Sequence, residues 1–426
     1  MFPLHERTQR RLCRTAFFPL CVLPTLLVAL WCVWINLPGR TTELENKWAQ
    51  ATGLRVSIDD LSHPQPGLVR LKTIQFSNPT TEQQVASISS GTLVRDGDRH
   101  LVSIEGVEIR ESGSSSVWQV LREAVLPQPI RDVEHLRVVV NDVTIVGKER
   151  SSSFAQILCQ VRPHADGREL TVQLKQNLKS NDSIRLQCIR QDDKSGSQER
   201  WRLLTGNRAI PLHLLSGWMP ATEHLGANCK FSGTIRCTVS ATSNEGEVSG
   251  TLSGIDLSRL TAVAQLGAMD GRARLEIASA KFRDSAIEEL NGKLTAGPGK
   301  IDSALLRKLD LLLSRQQQSS FAALGPAVNY QQLATDIECD QQGWLLTGCC
   351  NDTKPGTLMV DRREVLLRHA SEQASRRLRH SDVLAMFADE ESPWIPVNAQ
   401  IGWLMQRLPP LSEGPTDKSV KKKVTR

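Results

Sequence analysis

The nearest approach to a reactive cluster in this 426-residue chain is His213 with Glu223 and His224, imidazoles and a carboxylate of the kind that hold a metal or relay a proton. None of the nine histidines falls in the His-Glu-x-x-His spacing that sets two imidazoles on one helix face. The triplet reads as ordinary loop polarity. Asp96-Gly97-Asp98 brings two carboxylates around a glycine, the start of a calcium loop, but acids flanking glycine are also what a hairpin turn asks for. There is no nucleophile elbow, no phosphate-cradling loop and no dinucleotide turn. Asn181-Asp182-Ser183 and Asn351-Asp352-Thr353 are glycosylation acceptors only in a eukaryotic secretory route. The chain therefore reads as a non-enzyme with no catalytic residue, no metal site and no cofactor.

The ten cysteines point the same way. Cys13, Cys21 and Cys32 lie in or beside an apolar block. Cys159, Cys188 and Cys237 fall in phase with alternating apolar residues, which makes them small buried hydrophobes first. Cys339, Cys349 and Cys350 flank a hairpin turn, where one bridge is open to them. No Cys-x-x-Cys or Cys/His ligand spacing appears.

The elements that carry these residues begin with a membrane-length segment. Thr15 to Leu37 holds no charge in 23 residues, and at about 1.5 Å per residue it spans the roughly 30 Å hydrocarbon layer. Its anchor residues are Phe17, Phe18, Leu20, Leu23, Leu26, Leu27, Leu30, Trp31, Val33, Trp34 and Ile35. Trp31 and Trp34 stand near one boundary, where indole rings lie. Pro19 and Pro24 kink the first turns without forbidding insertion. The competing reading is a cleaved signal peptide, whose apolar core is about 7–15 residues and ends at small residues; Ile35-Asn36-Leu37-Pro38 offers no such site.

The net charge of +6 is confined to the ends: residues 1–14 carry +3 and residues 417–426 carry +4, leaving −1 between them. With arginines ahead of the span, the positive-inside rule keeps the N-terminus cytoplasmic and exports the rest. A body without surplus positive charge is no nucleic-acid reader. The tail Lys418–Lys423 suits anionic headgroups or simply a solvated end.

After the span the dominant period is 2. Leu54-Val56-Ile58, Leu136-Val138-Val140, Leu170-Val172-Leu174, Ile235-Cys237-Val239 and Ala273-Leu275-Ile277 alternate with polar residues. The turns expected between such runs are 96–98, 165–167, 244–246 and 342–343. Helices are expected over 116–126, 303–313 and about 371–388, the second capped by Asp302 or Ser303, and a short apolar helix or turn over 209–220. The fold class is mainly β, an N-terminal transmembrane helix followed by a long antiparallel meander with a few short helices. The expected organisation is 1–14 cytoplasmic basic tail, 15–37 anchor, 41–208 first β-rich region, 209–369 second β-rich region with short helices, 370–410 helical or strand segment, and 411–426 disordered basic tail.

Several stretches resemble the AsmA/TamB-like family of bacterial envelope proteins. Residues 48–58, Trp-Ala-Gln-Ala-Thr-Gly-Leu-Arg-Val-Ser-Ile, resemble the family's opening strand after a single anchor. Leu68 to Pro79, ending Phe76-Ser77-Asn78-Pro79, resembles its second. Phe231-Ser232-Gly233-Thr234-Ile235, then Glu247 to Leu252, then Ile255 to Leu260 resemble its later glycine-marked hairpins, and Gly292 to Ile301 enters the helix at Ser303. Together these cover about half the chain. With roughly 14–18 strands at about 4.8 Å each, the body is a short member.

The resemblance implies an inner-membrane, single-pass protein with its bulk in the periplasm, and a curved, groove-like sheet whose apolar face shelters phospholipid or another amphiphile, without chemistry. The function it implies is holding or passing lipids or assisting outer-envelope biogenesis. The candidate groove lining is Val138, Val140, Leu170, Val172, Ile235, Val239, Leu275 and Ile277. The same alternation suits the interior of a closed sandwich or barrel, which leaves open an anchored scaffold that binds another envelope protein through its β-body. A third reading is a degenerate exported enzyme with a non-local site.

Overall fold

The computed structural model describes residues 10, 14–35, 39–65, 67–96, 99–110, 113–120, 122, 135–147, 151–164, 167–178, 182–193, 196–215, 220–240, 242–264, 267–284, 286–314, 325–350, 354–362, 364–369 and 377–385. They form twenty strands and six α-helices, a mainly β protein. The chain divides into two compact units, Met1–Gln160 and Val161–Arg426, with the boundary inside strand β6 (Ser151–His164).

In the first unit the apolar block is helical. Arg14–Trp31 is one helix long and apolar enough to cross a membrane, with none of its residues buried. After an α-helical turn over 14–17 it widens into a π-helical turn, Phe18–Val22, and continues into α1, Leu23–Ile35. The prolines explain the widened turn. Pro24 has no N–H to give, and the Leu23 N–H bonds back to Phe18 O. Thr25 Oγ1 donates to Cys21 O at 2.7 Å, a hydroxyl satisfying a carbonyl beside the break.

A second helix, α2 (Gly39–Thr52), follows and ends at Gly53, whose φ of 69° places it in the left-handed region that closes helices. Strands β1 (Arg55–Gln65), β2 (Leu68–Ser77), β3 (Gln84–Asp96) and β4 (Arg99–Arg110) then form an antiparallel meander. Its core is Val56, Ile58, Leu71 and Ile74, and Leu44, Trp48 and Ala49 of α2 pack against it. Glu45 Oε1 accepts the Ile58 N–H at 2.8 Å, so α2 also satisfies a backbone donor of β1.

One pairing departs from the expected meander. Strand β5 (His135–Val146) runs parallel to β4, with Arg99 opposite His135 and Arg110 opposite Val146. Parallel neighbours require a crossover, and the stretch expected as helix over 116–126 supplies part of it as α3, Ser114–Val120. From β6, Gln156 Nε2 donates to Asn141 Oδ1 of β5 at 3.3 Å.

The second unit is antiparallel throughout its main sheet. Strands β7 (Gly167–Lys175), β8 (Ile184–Asp193) and β9 (Gly196–Leu204) pair in order, and β9 pairs with β11 (Lys230–Val239). The short β10 (Ile210–Pro211) takes up the other end of β11. The stretch 209–220, expected as a short apolar helix or turn, is β10 followed by two 3-10 turns, Leu212–Leu215 and Pro220–Leu225, with 216–219 outside the described residues. Strands β12 (Asn244–Asp256), β13 (Arg272–Arg283), β14 (Ala286–Ala296), β17 (Gln332–Asp340) and β18 (Gly343–Gly348) continue the ladder. Strand β19 (Thr357–Val360) pairs with the start of β17 and with β20 (Val365–Arg368), while β15 (Gly299–Asp302) and β16 (Ala327–Tyr330) form a separate pair.

The expected turn at 244–246 falls four residues early. Asn244, Glu245 and Gly246 belong to β12, and the reversal is at Ser240–Ser243, where Ser240 Oγ accepts the N–H groups of Thr242 and Ser243. The helix α5 (Ser303–Ser314) stands where expected, capped by Asp302 Oδ1, which accepts from Ala304 N at 3.0 Å, with Leu305, Leu306 and Leu313 buried. Of the expected helix over 371–388, residues 377–385 are described: 377–379 are not helical, Leu378 forming an antiparallel bridge with Trp344, and the helix is α6, His380–Ala385.

Helix α4 (Leu257–Ala264) carries a pH-dependent cap. Asp256 Oδ1 accepts from the Ser258 hydroxyl at 2.7 Å and from the backbone N–H of Ser258 and Arg259. The Ser258 hydroxyl foremost, then those N–H groups and the Arg259 charge, hold the carboxyl below its usual range against the opposing cost of burial. A depressed folded pKa gives stability that is present above the unfolded value of about 3.9 and fades as pH falls through the folded one. Asp256→Ala is expected to cost about 1 kcal/mol at neutral pH. That deficit should shrink as pH falls below the unfolded carboxyl's value of about 3.9. Urea titrations of the full chain at both pH values check this; an equal deficit at both would remove the carboxylate from the account.

Candidate functional site: an apolar pocket beside the N-terminal helix

The site is built by α2. Arg40, Glu43, Leu44, Lys47 and Trp48 recur at helical spacing and share one stripe. Glu43 joins the two cations, Oε1 to Lys47 Nζ at 2.8 Å and Oε2 to Arg40 Nη1 at 3.2 Å. The Lys47 ammonium first, by hydrogen bond and charge, and then Arg40 hold the Glu43 carboxyl below its usual range. The Arg40 guanidinium carbon also lies 4.2 Å from the ring centre of Trp34, in the last turn of α1, a cation–π contact between the apolar helix and α2. Trp48 stacks on Phe76 of β2, ring centres 6.4 Å apart and planes 7° from parallel.

Opposite this stripe lies one face of β1–β3. Leu61 sits across from Leu71, and Val69 across from Leu93, so these four side chains share a face by the period of the strand. Between that face, α2 and Trp34 is a pocket of about 420 Å3. It is lined by Trp34, Leu44, Trp48, Leu61, Val69, Leu71 and Leu93, with Arg40, Glu43, Lys47 and His63 as its polar members. That volume falls in the ordinary range for a small-molecule site, about 300–1,000 Å3. His63 has a buried Nδ1 with no hydrogen-bond partner among the described residues.

The anchor residues lie on α1 and the turns before it, and one of them, Trp34, lines this pocket. Phe17, Phe18, Leu20, Leu23, Leu26, Leu27, Leu30, Trp31, Val33 and Trp34 are all exposed, Leu20 to 73%; the Ile35 side chain lies outside the described residues. An uninterrupted exposed apolar surface of this kind asks for a partner other than water.

The groove candidates fall in both units. Val138 and Val140 stand on β5 of the first, half-buried. In the second, Leu170, Ile235 and Ile277 are buried on β7, β11 and β13, while Val172, Val239 and Leu275 are half-buried. Strands β8, β9 and β12 intervene between these three, so the six are not on adjacent strands. Leu170 has no exposed surface at all, so protein atoms fill the space around it.

The two 3-10 turns that carry the histidines of the sequence cluster lie against each other. His213 and His224 stand on the two 3-10 turns, and the Glu223 side chain lies outside the described residues. Among the described residues no group of three His, Cys, Asp or Glu is placed to hold a metal. The described thiols are unbridged, Cys339, Cys349 and Cys350 among them. Burial pushes Cys159 and Cys229 up to about 11 and Cys339, beside Asp340, up to about 12, which keeps all three as unreactive thiols.

Sequence patterning alone marks the strand after Gly53 and passes over the pocket-forming residues of α2. A signal is nonetheless present: Glu43 four residues ahead of Lys47 is the favourable order for a helical ion pair, and Leu44-x-x-x-Trp48 repeats beside it. Compared with known proteins, the chain matches no family model and no curated relative. What the geometry offers chemically is an oily cavity with a charged mouth.

Proposed function

We propose that this is a non-enzymatic, single-pass, membrane-anchored envelope protein of AsmA-like character, which takes a lipid chain into the pocket beside its anchor. The observation that carries this is the position of the pocket. Trp34, on the same helix three residues past the membrane-length span Arg14–Trp31, forms part of the pocket wall, so an acyl chain leaving the bilayer interface finds apolar surface at the end of the anchor helix. Each methylene moved out of water contributes about 0.8 kcal/mol, with no chemistry and no cofactor. The four N-terminal arginines against one acid favour a cytoplasmic N-terminus, putting β1 and everything after it on the far, periplasmic side of an inner membrane.

The test is to place an aliphatic diazirine amino acid at Leu61 of the full chain, reconstitute it in phospholipid vesicles, irradiate, and weigh the adduct. A lipid adduct at Leu61, with none at the exposed strand position Lys281, is the expected result. No adduct at either position would turn attention to the scaffold reading, with another envelope protein as the ligand.

A further inference from the structure

We infer that the pocket is selective for an anionic phospholipid, bound with one acyl chain against Leu61, Leu71 and Trp48 and its headgroup phosphate between Arg40 and Lys47. This rests on the lipid-holding reading above and names the class of lipid. The argument is charge complementarity. The mouth of the pocket carries two cations against one carboxylate, and that carboxylate is shared between them. Glu43 engages one nitrogen of each, at 2.8 and 3.2 Å, leaving most of their N–H donors unspent.

Both heads face water: the Arg40 and Lys47 side chains are 37% and 67% exposed while the apolar lining, Trp34 apart, is half-buried or buried. That is the amphiphile's own order, charge outermost and oil within. Arg40 is further fixed by the Trp34 ring beneath it, so a headgroup at the interface meets a guanidinium already held in place. A zwitterionic choline headgroup brings its own cation to a site that already has a surplus of one positive charge. Glycerol- or serine-bearing headgroups with net negative charge balance it.

The experiment uses the full chain with the diazirine at Leu61, in vesicles of equimolar phosphatidylglycerol and phosphatidylcholine. The expected result is an adduct population enriched about fivefold in phosphatidylglycerol. The enrichment should fall as salt is raised past the screening range of about 0.1 M. The double variant Arg40→Gln/Lys47→Gln should equalise the two lipids by lowering the phosphatidylglycerol adduct towards the phosphatidylcholine level, with the fold kept because both side chains are surface groups; its thermal midpoint serves as the check. Adducts without headgroup preference, or a preference that survives the double variant, would overturn the anionic selection and leave the lipid-holding reading standing. No adduct with either lipid would overturn both.

Discussion

Gly250→Ala is expected to lower the stability of the second unit by about 2–6 kcal/mol, the sum of ~1–3 for a disfavoured backbone region and ~1–3 for overpacking. The corresponding fall in thermal midpoint is roughly 5–25 °C. The reason lies in a cross-strand pair. Gly233 of β11 and Gly250 of β12 stand directly opposite each other, with φ of 149° and 145°, a region that residues with a Cβ rarely occupy. A Cβ on Gly250 would press into the Ser232 carbonyl oxygen and stand 2.7 Å from the Gly233 Cα; one on Gly233 would stand 2.5 Å from the Gly250 Cα. The obstacle is backbone on each side, so no rotamer relieves it.

The same spot is held by Thr205, 1% exposed, whose Oγ1 accepts the Gly233 N–H at 2.7 Å while its own N–H bonds to Gly233 O at 3.0 Å. Close approach and a buried hydrogen-bond clasp thus coincide where β9 gives way to β10 along β11. The control is Glu247→Ala, which removes only a surface ion pair with Arg236 at 3.3 Å, expected to cost under about 1 kcal/mol. Thermal melts of the two variants separate backbone crowding from generic damage to β12. A Gly250→Ala midpoint within a degree or two of the Glu247→Ala midpoint would mean the two glycines do not face one another.

Both glycines stand in stretches whose strand pattern is plain in the sequence, yet their opposition is not readable there. Period-2 alternation is local: it depends on which face each residue takes, so four of the five runs quoted for it lie wholly in strands and the fifth does so but for Leu54, which precedes β1. Which strand lies beside which, and in what register, depends on packing between residues far apart in sequence. That is why the parallel β4–β5 pair departs from the expected meander. Its two strands read like any others, and only the crossover between them sets their direction.

The pocket is illegible in the sequence for a related reason. Helix α2 carries Gly39, Thr41, Thr42, Asn46 and Thr52, poor helix formers, and has no fully buried residue. It is held by Leu44, Trp48 and Ala49 against a core that β1 and β2 supply. A short helix stabilised mainly by tertiary contact leaves a faint mark in sequence. The clearer alternation at Leu170 and Ile235 instead marks interior positions, which apolar patterning cannot tell from open ones. Space left unfilled is a property of several elements together, and no single run of residues records it.

Filling that space is the sharper functional test. Leu93→Trp is expected to reduce the lipid adduct at Leu61 at least tenfold while shifting the thermal midpoint by only a few degrees. Leu93 lines the pocket from β3 and is half-buried, opposite Val69 on one side and Val102 on the other. An indole there has about 420 Å3 of cavity to enter, so it grows into empty space instead of into packed neighbours. The bound chain bears the loss: excluding only two methylenes forfeits about 1.6 kcal/mol, which already exceeds the ~1.4 kcal/mol of a tenfold change. Leu93→Ala acts in the opposite sense. It widens the pocket, keeps the adduct, and lowers the midpoint through lost packing. A pair of variants in which the more stable one binds less lipid cannot be explained by unfolding. If Leu93→Trp labels as well as the parent chain, the lipid is not in this pocket, and the charged mouth formed by Arg40 and Lys47 has no acyl chain to orient.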